Sequence, residues 1–204
     1  WSSDVCSSDL FLTISAWHFA DDWRGNLASW QCLSGGAVVT LAPILFHSGE
    51  VTEIFTVLSN ETAALMLVSW LQAPAMAAVV FTMIAVGLGI IRRRWQTLEL
   101  ASLLLLAYTL PPLLFFTAYF CGLHSPRHLL GVIRGLRVTN RRLILSASGF
   151  TLLTLVFASI FLSLETTVIE DSLIRVVFIG LAALTVPHML LLAHVETPFK
   201  PTVA

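Results

Sequence analysis

From Leu65 to Ile91 the chain carries no charged side chain, and it then meets Arg92-Arg93-Arg94. A helix needs around 20 apolar residues to cross a bilayer core of about 30 Å, and this run exceeds that. Similar runs recur along most of the 204 residues. Overall, 57% of the residues are hydrophobic and 11% are charged, against roughly 25% charged in a soluble domain. Such a chain has too little polar surface for a water-exposed fold, so the expected class is all-α, a polytopic transmembrane helical bundle. A net charge of −1 gives no electrostatic reason to bind nucleic acid.

Reading the runs in order gives about six or seven membrane segments. They fall near residues 9–19, 27–46, 65–91, 98–110, 113–134, 143–164 and 173–195, with a short amphipathic piece near 54–58. The stretch 98–136 is split because a single helix of that length would reach roughly 58 Å. Pro111-Pro112 also removes a backbone donor and disfavours helix in the preceding residue. The split puts Arg92–Arg94 and Arg134, Arg137, Arg141 and Arg142 on one face, the expected cytoplasmic side. The acidic residues Glu50, Glu53, Glu61, Glu165, Glu170 and Asp171 fall on the other. Gly35-Gly36 permits close helix approach.

Residues 1–10 repeat Ser-Ser-Asp and lack the apolar character of later runs. They are set aside as a doubtful leader or artefact, leaving 11–204 as a single integral-membrane helical domain. Cys6, Cys32 and Cys121 show no metal or disulfide spacing. The last two lie in apolar runs and are expected to be buried and inert.

Histidine placement points to chemistry. His124 and His128 are four residues apart in an apolar run, so their imidazoles share one helix face. Ionisable groups at membrane depth are costly and call for a partner, here a metal ion. The topology places His18, His124, His128 and His188 in one layer of the inner half of the bundle, whereas His47 and His194 fall at its boundaries. Neutral imidazoles from several helices suit iron, copper or zinc, and Fe(II) fits oxygen chemistry in particular. Asp21 or Asp22 is placed to accept the second ring N–H of a ligand and fix its tautomer. Arg127 is expected to face away from the histidines, towards a carboxylate or the lipid boundary. Trp17, Phe19, Phe116, Tyr119 and Phe120 are candidate substrate-binding residues, although aromatics in such runs more commonly serve packing or lipid contact.

Three segments carry a family resemblance: Ser15-Ala-Trp-His-Phe-Ala-Asp-Asp-Trp23, Tyr119-Phe120 followed by His124-Ser-Pro-Arg-His128, and Thr185-Val-Pro-His-Met189. The phrase from Leu41 to Val51 adds to it. Together they resemble the Brp/Blh family, the bacteriorhodopsin-related-protein-like β-carotene 15,15′-dioxygenases of bacteria and archaea, over nearly all of residues 11–195. The resemblance implies a multi-pass cell-membrane enzyme that uses iron and O2 to cleave β-carotene into two molecules of retinal. It makes His18, His124 and His128 iron ligands and matches His188 to a Pro-His element. It further implies a ligand on an earlier helix, which this chain is expected to lack, and Ala20 stands where the family pattern has Gly.

Other classes remain open. A membrane di-iron desaturase needs more histidines, in several clusters, than the six here. Imidazoles at i and i+4 of one helix cannot both be axial to one haem. A non-enzymatic accessory protein for carotenoid or rhodopsin handling is the remaining alternative.

Overall fold

Pairs of proline, glycine and capping residues set where the helices begin and end. In a computed structural model, the described residues are 3–91, 95–128 and, beyond these, 130, 145, 148, 149, 152, 153, 155–157, 159, 160, 163, 173–178 and 180. The chain divides into two compact units, Trp1–Val138 and Thr139–Ala204. Every helix with described bounds lies in the first. The described residues are helical and contain no strand.

Helix α1 covers Ser3–Ala20 and passes into a 3-10 turn at Asp21–Trp23. It therefore begins inside the segment set aside as a leader. Gly25 then turns the chain with φ +81, a conformation that a Cβ disfavours. Helix α2, Ser29–Phe46, starts where the Gln31 side chain accepts the Ala28 N–H at 3.1 Å, half of a capping box. The amphipathic piece becomes α3, Ser48–Leu58. Asn60 caps α4, Glu61–Ile91, by accepting the Ala63 N–H at 2.9 Å. Helix α5, Gln96–Thr109, ends at extended Leu110, and Pro112 opens α6, Pro112–Tyr119. Pro111-Pro112 thus separates two helices, as proline at a first helical position and extended backbone before proline both require.

Helix α2 is central, packing against α1, α4, α5 and α6. Its crossing with α1 is close because a Cβ at Gly36 would lie 2.2 Å from the Ala16 carbonyl oxygen. A second close approach joins α4 to α5, where a Cβ at Gly89 would meet the Thr97 hydroxyl. The core seals around Trp23, Phe115 and Tyr119, each almost fully buried.

Two helices, α2 and α4, are long and apolar enough to cross a membrane. The expected count of six or seven crossings is not reached among the described residues. Helices α5 and α6 are too short by themselves, and the runs at 143–164 and 173–195 lie largely outside the described residues. So do both arginine clusters used to orient the chain. Only 33% of the most apolar window of α4 is buried, and Trp70, Met76, Phe81, Met83 and Ile90 are exposed along it. Cys32 is buried as expected, but Cys121 is exposed, on the outward side of the turn that follows α6.

Candidate metal centre

The last turn of α1 carries His18, and the 3-10 turn beyond it carries Asp22. The facing side of the site comes from a helix break. After Tyr119 the backbone widens into a π-helical turn at Phe120–His124, with the Ser125 N–H donating to the Phe120 carbonyl five residues back. Pro126, which has no N–H to give, follows at once. Single π turns inside helices are rare and frequent at functional sites. This one changes the angular phase. Residues five apart in an α-helix point roughly 140° away from one another. Here Tyr119 and His124, five apart, are both buried and both reach Asp22. Helical geometry resumes from Ser125 to His128, placing His128 one turn beyond His124.

His18, His124 and His128 each offer a ligand nitrogen, and these nitrogens lie within 4.8 Å of one another. The ring centroids are separated by 5.1 Å for His18–His124, 5.8 Å for His18–His128 and 4.5 Å for His124–His128. Imidazole–metal bonds of about 2.1 Å allow two ligand nitrogens to be at most about 4.2 Å apart, so small side-chain rotations suffice to close the set around an ion. Three neutral imidazoles fit a borderline divalent metal better than they fit magnesium or calcium, which favour oxygen.

Asp22 lies beside this set. Its carboxylate oxygens are each 3.2 Å from His124 Nδ1, and Oδ1 is 3.5 Å from His128 Nε2. The Tyr119 hydroxyl donates to Oδ2 at 2.5 Å. With Nδ1–H of His124 engaged by the carboxylate, Nε2 is the atom left to ligate, the usual carboxylate–histidine–metal arrangement. A buried carboxylate also needs compensating positive charge. The adjacent Arg127 is paired with Glu99 at 2.6 Å. The Asp22 carboxylate is met instead by the Tyr119 hydroxyl and the imidazoles of His124 and His128, where a bound cation would add compensating charge.

The aromatic candidates divide. Phe19, Tyr119 and Phe120 pack on the His124 ring with centroid distances of 5.2, 6.0 and 5.2 Å. Phe116 stands behind them, against Phe19 and Phe120. Trp17 instead is 56% exposed, with Arg24 over its ring. Of the two aspartates, Asp22 meets the imidazoles, while Asp21 pairs with Arg24 at 2.7 Å near the surface. The adjacent position in a tight turn points elsewhere, which spacing alone does not resolve. His188 lies outside the described residues. His47, assigned to a boundary, is 3.8 Å from Glu50.

Glu99 is the residue that sequence reasoning missed. Its carboxylate accepts from Arg127 and from the Trp23 indole at 3.2 Å. A signal for it existed: a lone acid in the otherwise apolar α5, where an ionisable group calls for a partner. An apolar groove of about 610 Å3 opens between α1, α2 and α4, lined among others by Ala16, Trp30, Leu33, Leu71 and Phe81. It holds none of the histidines. Ala16 and His18 project about 160° apart around α1, so groove and cluster occupy different faces of that helix.

Helices crossing at glycine, with three histidines from distant segments gathered together and two of them beside one buried carboxylate, define a helical-bundle protein whose imidazoles could hold a metal ion. The particular family follows from comparison with known proteins. The β-carotene 15,15′-dioxygenase family profile matches residues 5–196, and the chain belongs to that family. A β-carotene 15,15′-dioxygenase from uncultured marine bacterium 66A03 is 30% identical over 206 residues, covering 93% of this chain and 72% of that protein. No solved structure matches.

Proposed function

We propose that this protein is a membrane-embedded, non-haem iron dioxygenase that cleaves the central 15,15′ double bond of β-carotene with O2 to give two molecules of retinal. One C=C bond is broken and two C=O bonds form, and the two atoms of one O2 balance them. The observation that carries the reading is the meeting of three imidazoles within 4.8 Å beside buried Asp22, in a chain of the β-carotene 15,15′-dioxygenase family. His18, His124 and His128 would hold Fe(II), with His188 a further candidate. Bound there, the iron would supply the site at which O2 is activated.

The remaining work belongs to the chain. Asp22 fixes the His124 tautomer and offsets the positive charge of the site. Phe19, Tyr119 and Phe120 wall off one side of the His124 ring and exclude water from it. A rigid polyene held against such apolar walls presents one bond to the centre, which is catalysis by positioning rather than by acid and base. Among the described residues Asp22 is the buried carboxylate, which fits that economy.

The exposed apolar face of α4 supports a lipid surround, since contiguous exposed apolar surface of this kind marks membrane or protein contact. In this reading the chain is a multi-pass cell-membrane protein of about six or seven segments. Its substrate is dissolved in the same lipid and never crosses water, where each exposed Å² of apolar surface costs ~25 cal/mol.

Expression of the protein in a β-carotene-producing host tests the reading. Loss of carotene colour with accumulation of retinal is expected, and both should vanish with His124→Ala. Unchanged carotene with the unmodified protein would remove the assignment.

A further inference from the structure

Arg127 sits between two of the clustered histidines in sequence, yet its guanidinium serves a different structure. Nη1–H donates to the backbone carbonyl of Asp22 at 2.7 Å, and Nη2–H donates to Glu99 Oε2 at 2.6 Å. The same Glu99 oxygen accepts the Trp23 indole N–H at 3.2 Å, and the guanidinium lies 6.0 Å from the centre of the Trp23 ring. Three separate elements meet here: the helical turn bearing His124 and His128, the 3-10 turn bearing Asp22, and α5.

Trp23 anchors one end of the 3-10 turn in the core, but the backbone that carries Asp22 is held less firmly by the turn's own hydrogen bonds. The turn is three residues long, its hydrogen-bond geometry is intrinsically poor, and Gly25 at positive φ follows it. The carboxylate of Asp22 must nevertheless stay within hydrogen-bond reach of a ring nitrogen. Arg127 ties the Asp22 backbone to the very turn that carries the two imidazoles, so carboxylate and rings share one frame. The planar fork of a guanidinium can serve a carbonyl and a carboxylate together, and Glu99 keeps the fork aimed.

We propose that Arg127, clamped by Glu99, is a positioning residue that holds Asp22 at working distance from His124 and thereby sets the affinity and geometry of the metal centre. This rests on the metal-binding reading above. Neither Arg127 nor Glu99 touches the ion; they act through Asp22.

The test titrates the purified, detergent-solubilised protein with Co(II), reading its visible absorption bands, and follows folding by far-ultraviolet circular dichroism. Arg127→Lys keeps the charge but loses the fork. Glu99→Gln leaves the Asp22 carbonyl contact and an acceptor for the Trp23 indole, and removes the carboxylate charge that clamps the guanidinium. Each is expected to retain its helical signal, bind Co(II) about ten-fold or more weakly, as loss of an outer partner does, and shift the absorption bands. Should Arg127→Lys fail to fold, Glu99→Gln carries the test. A lower melting temperature with wild-type Co(II) affinity and spectrum would make the clamp merely structural and overturn the proposal. If the unmodified protein takes up no Co(II), the metal reading fails and this proposal with it. That result is distinct from variants and wild type binding alike.

Discussion

The Tyr119 hydroxyl donates to Asp22 across 97 residues of chain, at 2.5 Å, on the same carboxylate that lies 3.2 Å from His124 Nδ1. A side chain from α6 and an imidazole from the π turn thus share one acceptor at the end of α1. Tyr119→Phe removes the donor and leaves the ring packing. A hydrogen bond to a charged group contributes about 1.5–3 kcal/mol, so thermal unfolding of the detergent-solubilised variant should shift downwards by a measurable amount. Fe(II) affinity should fall with it, because Asp22 then relies on the imidazoles alone.

The three histidines are expected to act as a unit. His18→Ala, His124→Ala and His128→Ala should each abolish retinal formation and tightly bound iron, measured by elemental analysis of purified protein. His47→Ala, at a helix junction beside Glu50, should leave both unchanged. Retained iron in all three cluster variants would exclude these residues as its ligands.

Metal removal gives an independent check. Chelation of iron from the purified protein should stop retinal production, and Fe(II) loaded back anaerobically should restore it once O2 is admitted. Restoration by Zn(II), which has no redox chemistry, would argue against oxygen activation at the metal.

The α1–α2 crossing should be intolerant of added volume. Gly36→Ala drives a Cβ against the backbone of Ala16 and Ala20, where no side chain can swing aside. Overpacking of this kind costs about 1–3 kcal/mol, and the displaced α1 carries His18, so unfolding temperature and metal content should both drop. Gly87→Ala, with nothing within 4 Å of the new Cβ, should be neutral or stabilising by up to about 1 kcal/mol.

The surroundings of α4 are open to a single substitution. Met76 lies midway along the helix and is 51% exposed. An aspartate at the centre of a membrane-spanning helix costs about 2.5–3.5 kcal/mol on insertion scales, whereas an exposed position in water tolerates it within about 0.5 kcal/mol. Met76→Asp should therefore reduce the fraction of protein recovered in carbonate-washed membranes. Unchanged recovery would place this face away from lipid.

Among the described residues of the first unit, local chemistry was enough to locate most of the helices. The break at Pro111-Pro112 and the long apolar run of α4 follow from proline geometry and an uncharged sequence. The i,i+4 histidine pair was legible for the same reason, since helical periodicity is short-range information. What spacing did not reveal was the side each neighbour takes. Asp22 turns inward and Asp21 outward within a three-residue turn; Cys121 is exposed in an apolar run; Glu99 finds Arg127 from another helix.

The amino-acid order by itself determined an apolar helical protein with a recognisable set of histidines, because burial and backbone hydrogen bonding act residue by residue. Only the tertiary structure decided that Asp22 would meet Tyr119 and His124, and that Arg127 would hold it there. Those contacts depend on where helices cross and on a π turn that rotates the residues from His124 to His128. An angular offset of this kind leaves no mark in hydropathy and becomes visible only once the distant segments are packed together.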